Sequence, residues 1–178
     1  EIERGRGILT DFVRSVRGLT RSAAERLGHP VRLAVRVPAT PEFSYGLGYD
    51  AVAWAREGLV DMIIPADYWS GFADMPVEEW RAQIDPAGRP CSIVPFTATT
   101  YACTKKGFMM SRNLAAMRGF AASVLDRGGD GVYLFNNFQP VGENVRLRTP
   151  AGESVIDGRV SDLLRAAGDL AGATSRPR

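Results

Sequence analysis

The amino-acid sequence predicts an α/β fold of parallel (β/α) units, the C-terminal half of a TIM (β/α)8 barrel. Three observations predict it. Helical and strand patterns alternate, with strand-like runs at 31–37, 59–65, 91–96 and 131–135. Parallel neighbours need a crossover, which a helix usually supplies. The segments entering these runs are short and those leaving them (38–49, 65–75, 96–111 and 136–144) are long, as in barrel enzymes whose sites lie at the strands' C-terminal ends. Finally, there are four such strands, where a complete barrel has eight.

The elements follow in order. Ile8, Leu9, Phe12, Val13, Val16, Leu19, Ala23 and Leu27 recur at helical spacing, and Gly28 supplies a left-handed stop. Val31 to Val37 is β-rich. Asp50 caps a helix that runs through Trp54 to Glu57 and closes at Gly58, and Leu59 to Pro65 is the next strand. Asp74 and Pro76 open a helix carrying Val77, Trp80 and Ile84, with both tryptophans in the core, and Asp85-Pro86 ends it. Cys91 to Phe96 is the third strand. Ser111 caps a longer helix with Leu114, Met117, Phe120, Ala121, Val124 and Leu125 on one face. Gly128-Gly129 stops it before the strand Gly131 to Phe135. In the tail (145–178), Val145 to Thr149 and Glu153 to Ile156 flank Pro150-Ala151-Gly152 as a hairpin, and a helix over Val160 to Ala167 follows. The whole reads as a single partial barrel domain over 1–178, its βα units within 1–144.

Strand parity fits a lumen. Val31, Leu33, Val35 and Val37 share one face and Arg32, Ala34, Arg36 and Pro38 the other. With the aliphatic faces on the helix layer, the charged faces point inward. Arg32 is then expected to pair with Asp61 low in the barrel, with Arg36 and Asp67 nearer the rim. Unpaired charges buried in an open sheet between helix layers would each cost on the order of several kcal/mol through lost hydration.

Composition narrows the function. Of 178 residues 45% are hydrophobic and 24% charged, with a formal net charge of +2, which excludes a disordered tail, a disulfide miniprotein and a collagen-like fibre. Basic residues do not cluster, so no nucleic-acid footprint is expected, and no apolar run has the length of a membrane span. Cys91 and Cys103 form either one disulfide or two thiols, and no His/Cys cluster has metal spacing. The segment starts Glu-Ile-Glu-Arg without a signal peptide, so it reads as part of a longer polypeptide and its localisation is open.

Several phrases are familiar. Leu33-Ala34-Val35-Arg36-Val37-Pro38 precedes Gly48-Tyr49-Asp50-Ala51-Val52-Ala53-Trp54-Ala55-Arg56-Glu57-Gly58-Leu59-Val60-Asp61, then Ile64-Pro65-Ala66-Asp67-Tyr68, and later Gly131-Val132-Tyr133-Leu134-Phe135-Asn136. Together these resemble the C-terminal half of bacterial family 10-like glycosyl hydrolases, over about residues 30 to 140 and weakly through Gly168-Asp169. The resemblance implies that these strands are the fifth to eighth of a barrel. It also implies that the acidic motif ending the fourth strand lies before Glu1, in an N-terminal half that partners this chain.

Glycoside hydrolysis needs two carboxylates flanking the scissile bond. Glu42, Asp67, Asp74 and Glu143 fall in rim loops. Asp67 has the best address, two residues past its predicted strand on the lumen parity. Flanking Tyr68 and Trp69 could desolvate it toward general-acid use; the alternative is a loop cap or a pair with Arg36. Arg36 is either a substrate clamp or half of a lumen ion pair. Tyr68, Trp69, Tyr101 and Phe138 either stack on sugar rings or pack their loops, and Asn136 and Asn137 either bond sugar hydroxyls or cap a turn. Thr97 joins this set in the seventh-strand end, Pro95-Phe96-Thr97-Ala98-Thr99-Thr100, which has no acid; that departs from barrel glycosidases with a nucleophile there. His29 sits in a Gly-His-Pro turn opposite the site, so no Ser-His-Asp triad is expected. Lys105-Lys106-Gly107 lacks the rest of a phosphate loop.

The expectation is a glycosidase-like barrel using carboxylate acid/base catalysis on an oligo- or polysaccharide, without metal or organic cofactor. A non-catalytic carbohydrate-binding barrel is the alternative. A phosphosugar isomerase or aldolase is a third, disfavoured because no lysine stands at a strand end.

Overall fold

The computed structural model describes residues 1–67, 74–98, 100–103, 108–111, 114–135, 145–149 and 152–156, with side chains over 1–67, 74–97 and 117–135. The fold is mixed α/β, with parallel strands in small sheets. Two compact units divide it, one of 1–65 with 76–94 and one of 66–75 with 95–178.

The first unit opens with α1 (Ile2–Leu27), stopped where Gly28 turns left-handed (φ 72°) and returns its N–H to Ala24 O at 2.9 Å. β1 (Ala34–Pro38), β2 (Met62–Ala66) and β3 (Ser92–Ile93) form a sheet in that order, β2 and β3 parallel with Met62 opposite Ser92 and Ile63 opposite Ile93. Between β1 and β2 come α2 (Pro41–Gly46) and α3 (Ala51–Arg56); α4 (Val77–Ile84) and a 3-10 turn (Asp85–Ala87) lead to β3. Asp50 caps α3, its Oδ1 accepting from Ala53 N at 3.3 Å.

Trp54 and Trp80 are core residues, as their spacing predicts, and neither buries an unmet N–H. Trp54 Nε1 donates to Thr10 Oγ1 at 2.8 Å, tying α1 to α3, and Trp80 Nε1 donates to Ala39 O at 2.9 Å. α1 departs from its predicted face. Val13 and Arg6 are its buried residues, while Ile8, Phe12, Leu19 and Leu27 are exposed. The apolar stripe is wider than the surface that α1 presents to its own unit.

α2 lies in a segment read as loop. Its start is nonetheless conventional: Thr40 Oγ1 accepts from Phe43 N at 3.0 Å and Pro41 takes the first helical position, where no N–H is needed.

The second unit pairs β4 (Phe96–Ala98) with β7 (Tyr133–Phe135) in parallel. Phe96 is buried against both aromatic ends of β7, with ring centroids 6.5 Å from Tyr133 and 5.2 Å from Phe135. α5 (Leu114–Asp126) buries Met117, Phe120, Ala121 and Val124, part of its predicted face. Two antiparallel pairs complete the unit: β5 (Thr100–Cys103) with β6 (Phe108–Ser111), and β8 (Val145–Thr149) with β9 (Gly152–Ile156). The β5–β6 hairpin occupies a segment read as loop, and Ser111 ends β6 instead of capping a helix. The predicted tail helix lies outside the described residues.

The third predicted strand is split. Val94 N donates to Ile63 O at 3.0 Å, whereas the next residue, Pro95, accepts from Tyr133 N at 2.9 Å. Proline has no N–H to continue the ladder, so the chain leaves β2 there and joins β7. Pro65 lies within β2, beyond the last register pair with β3. Both prolines stand at boundaries between the units.

Candidate functional site

β2 delivers the chain to Asp67. Ile63, Ile64, Pro65 and Ala66 are all buried, and Asp67, the residue after the strand, is half-buried at its C-terminal end. In α/β folds that end is where ligands bind, because crossover loops open there. Thr97, in the second unit like Asp67, is buried within β4 and opposite Leu134. Arg36 belongs to the first unit and is exposed, on the face of β1 opposite buried Val37. Tyr101 is in β5, opposite Met110. Tyr68, Trp69, Asn136, Asn137 and Phe138 lie outside the described residues, as does Glu143. Of the other rim carboxylates, Asp74 is exposed and meets Arg127, just past α5, at 3.0 Å, and Glu42 stands in the first turn of α2.

The expected pair of Asp61 with Arg32 is replaced by a stronger one. Arg17 of α1 grips both carboxylate oxygens, Nη1 to Oδ2 at 2.6 Å and Nη2 to Oδ1 at 3.0 Å, and Leu33 N donates to Oδ2 at 2.7 Å. A bidentate guanidinium outcompetes a single distant charge, and the helical position of Arg17 put it within reach where strand parity alone suggested Arg32. Burial raises the Asp61 pKa, but the hydrogen bonds from Arg17 and Leu33 and the charges of Arg17 and Arg32 outweigh it and hold the carboxyl below its ordinary range. Asp61 is therefore a structural anion that ties α1 to the chain entering β1 and β2.

A feature not anticipated from sequence lies in the first unit. A groove of about 350 Å³ opens beside α2, α3 and the end of α4, lined by Glu42, Tyr45, Tyr49, Asp50 and Gln83 among others. Its residues come from three elements, and the unforeseen helix α2 turns Glu42 and Tyr45 toward Tyr49 and Asp50. The sequence signal was the Thr40-Pro41-Glu42 helix start.

Among the described residues no group of three or more His, Cys, Asp or Glu could hold a metal ion, and no helix is long and apolar enough to cross a membrane. No model of a known protein family matches the chain, and no match is found among curated proteins.

Proposed function

We propose that this chain is the C-terminal half of a (β/α)8 barrel that hydrolyses an oligo- or polysaccharide, with Asp67 as an acid/base carboxylate. The observation that carries the reading is the position of Asp67. It directly follows a parallel strand, on the side where βα loops open, and is half-buried next to a run of four buried residues. A half-buried carboxylate at a strand's C-terminal end is suited to proton transfer at a glycosidic oxygen. Thr97 supplies a hydroxyl in the same unit, and Arg36, Tyr68, Trp69, Tyr101, Asn136, Asn137 and Phe138 are the substrate contacts that the reading assigns. The preceding half of the barrel supplies the second carboxylate, so the proposal requires no metal or organic cofactor.

One observation favours a second reading, a carbohydrate-binding barrel without turnover. The strand end at 97–100 reads Thr-Ala-Thr-Thr and carries no carboxylate. The two readings part in one experiment on a polypeptide that completes the barrel. Incubation with a panel of plant, bacterial and fungal polysaccharides should release new reducing ends from at least one of them. Retarded migration in a polysaccharide gel with no reducing ends released supports the binding reading, and neither retardation nor release contradicts both.

A further inference from the structure

We propose that the groove beside α2 and α3 binds a small organic cation, a primary amine or quaternary ammonium, through the rings of Tyr45 and Tyr49 and the carboxylates of Glu42 and Asp50. The site belongs wholly to the first unit, so it stands independently of Asp67 and of the carbohydrate reading.

The lining combines two phenol rings, two carboxylates and one amide with the apolar surfaces of Pro41, Ala51 and Val52, and among the described residues it includes no Lys, Arg or His. Aromatic faces attract cations through the ring quadrupole, and adjacent carboxylates add charge attraction. Apolar walls suit the hydrocarbon body of an alkylamine. A volume of about 350 Å³ is at the small end of the range for small-molecule sites.

Tyr45 already shows this chemistry. The guanidinium carbon of Arg6 stands 3.5 Å from its ring centroid, and Arg6 Nη2 donates to Tyr45 O at 3.0 Å. Tyr45 is still 49% exposed, so ring surface remains for a ligand. Arg6 Nη1 pairs with Glu3 at 2.6 Å, and the guanidinium charge also attracts Asp50. Arg56, which is not among the lining residues, donates its Nε to the Gln83 carbonyl at 2.6 Å, a bond that orients the guanidinium and leaves its charge in place. Among the described residues Glu42 makes no ion pair and is the carboxylate left uncompensated at the groove, whereas Asp50 shares the field of Arg6. Asp50 is held in place by its cap bond to Ala53, and Tyr49 by an edge contact with Trp54 at 6.4 Å. These groups are therefore pre-set, which lowers the ordering cost of binding. A neutral polyol could use the hydrogen-bond acceptors but would leave the Glu42 charge unbalanced.

The test is an NMR titration of the 178-residue chain with choline, with its neutral carbon isostere 3,3-dimethylbutan-1-ol, and with glucose. Choline should shift the Tyr45 and Tyr49 ring signals saturably. The isostere should bind about fivefold or more weakly, the discrimination expected of a cation–π contact with supporting charge. Glu42→Gln, an exposed substitution, should weaken choline about threefold while the spectrum stays folded, and added salt should weaken it further. Unshifted tyrosine rings, equal binding of choline and its isostere, an unaltered affinity in Glu42→Gln, or saturable binding of glucose in preference to choline would each overturn the proposal.

Discussion

Asp61 joins α1 to the sheet through a bidentate bond from Arg17 and a backbone bond from Leu33. Its charge and geometry permit a signed prediction. Because the folded-state pKa lies below the ordinary value near 3.8, this stabilisation is fully present above about pH 4 and disappears as pH falls through the lowered folded value. Asp61→Asn should cost about 1.5–3 kcal/mol at pH 7, the range for hydrogen bonds to a charged group. The loss should shrink toward zero in strong acid. Urea melts of both proteins between pH 2 and 7 check this, and parallel stability curves across that range would refute the assignment. Arg36, Asp67 and Thr97 were identified from strand parity and address, which locate a residue along a strand without specifying its neighbours. That is why the parity rule chose Arg32 for Asp61: the competing donor, Arg17, sits 44 positions away on a helix, and only tertiary packing brings it in.

At the scale of elements, some caps and breakers were dependable signals, although Ser111 was not. Gly28 ends α1 because glycine adopts the left-handed φ of 72°, and Asp50 starts α3 through its side chain, which accepts from Ala53 N. The start of α2 carried the same signal in Thr40 and Pro41, but its six residues are too few to show a hydrophobic period. Thr40→Ala should therefore cost about 1 kcal/mol, the usual worth of a side-chain N-cap, read as a lowered melting temperature; an unchanged melting temperature would show that α2 is held by packing alone. The β5–β6 hairpin was missed for a related reason. Thr100-Tyr101-Ala102-Cys103 and Phe108-Met109-Met110-Ser111 are each only four residues long, and the intervening lysines and glycine read as loop. The split of the third strand was legible in principle, since Pro95 cannot donate to a ladder. Its neighbours are β-rich on both sides, however, and a continuous run concealed the change of partner from β2 to β7.

For the whole molecule, the apolar stripe of α1 is the plainest exposed apolar feature among the described residues. Phe12 and Leu19 are 62% and 71% exposed, although the helix period groups them with Val13, which is buried. Exposed apolar surface of this kind drives association. Sedimentation of the isolated chain should show concentration-dependent association, and Phe12→Ser with Leu19→Ser should reduce it without loss of stability; a monodisperse parent chain would contradict this. The mixed α/β character with parallel strands was readable because crossovers impose a long alternating pattern, whereas the division into two units left no pattern of its own in the sequence. The functional account depends most directly on Asp67. In a polypeptide that completes the barrel, Asp67→Asn preserves side-chain shape and removes the proton-transfer group, a step worth about 10²–10⁴ in rate. The decisive measurement is the hydrolysis rate of that variant on the polysaccharide cleaved by the parent, alongside its affinity for the same glycan. The account predicts retained binding with turnover reduced by about 10²-fold or more; hydrolysis at the parental rate would contradict it.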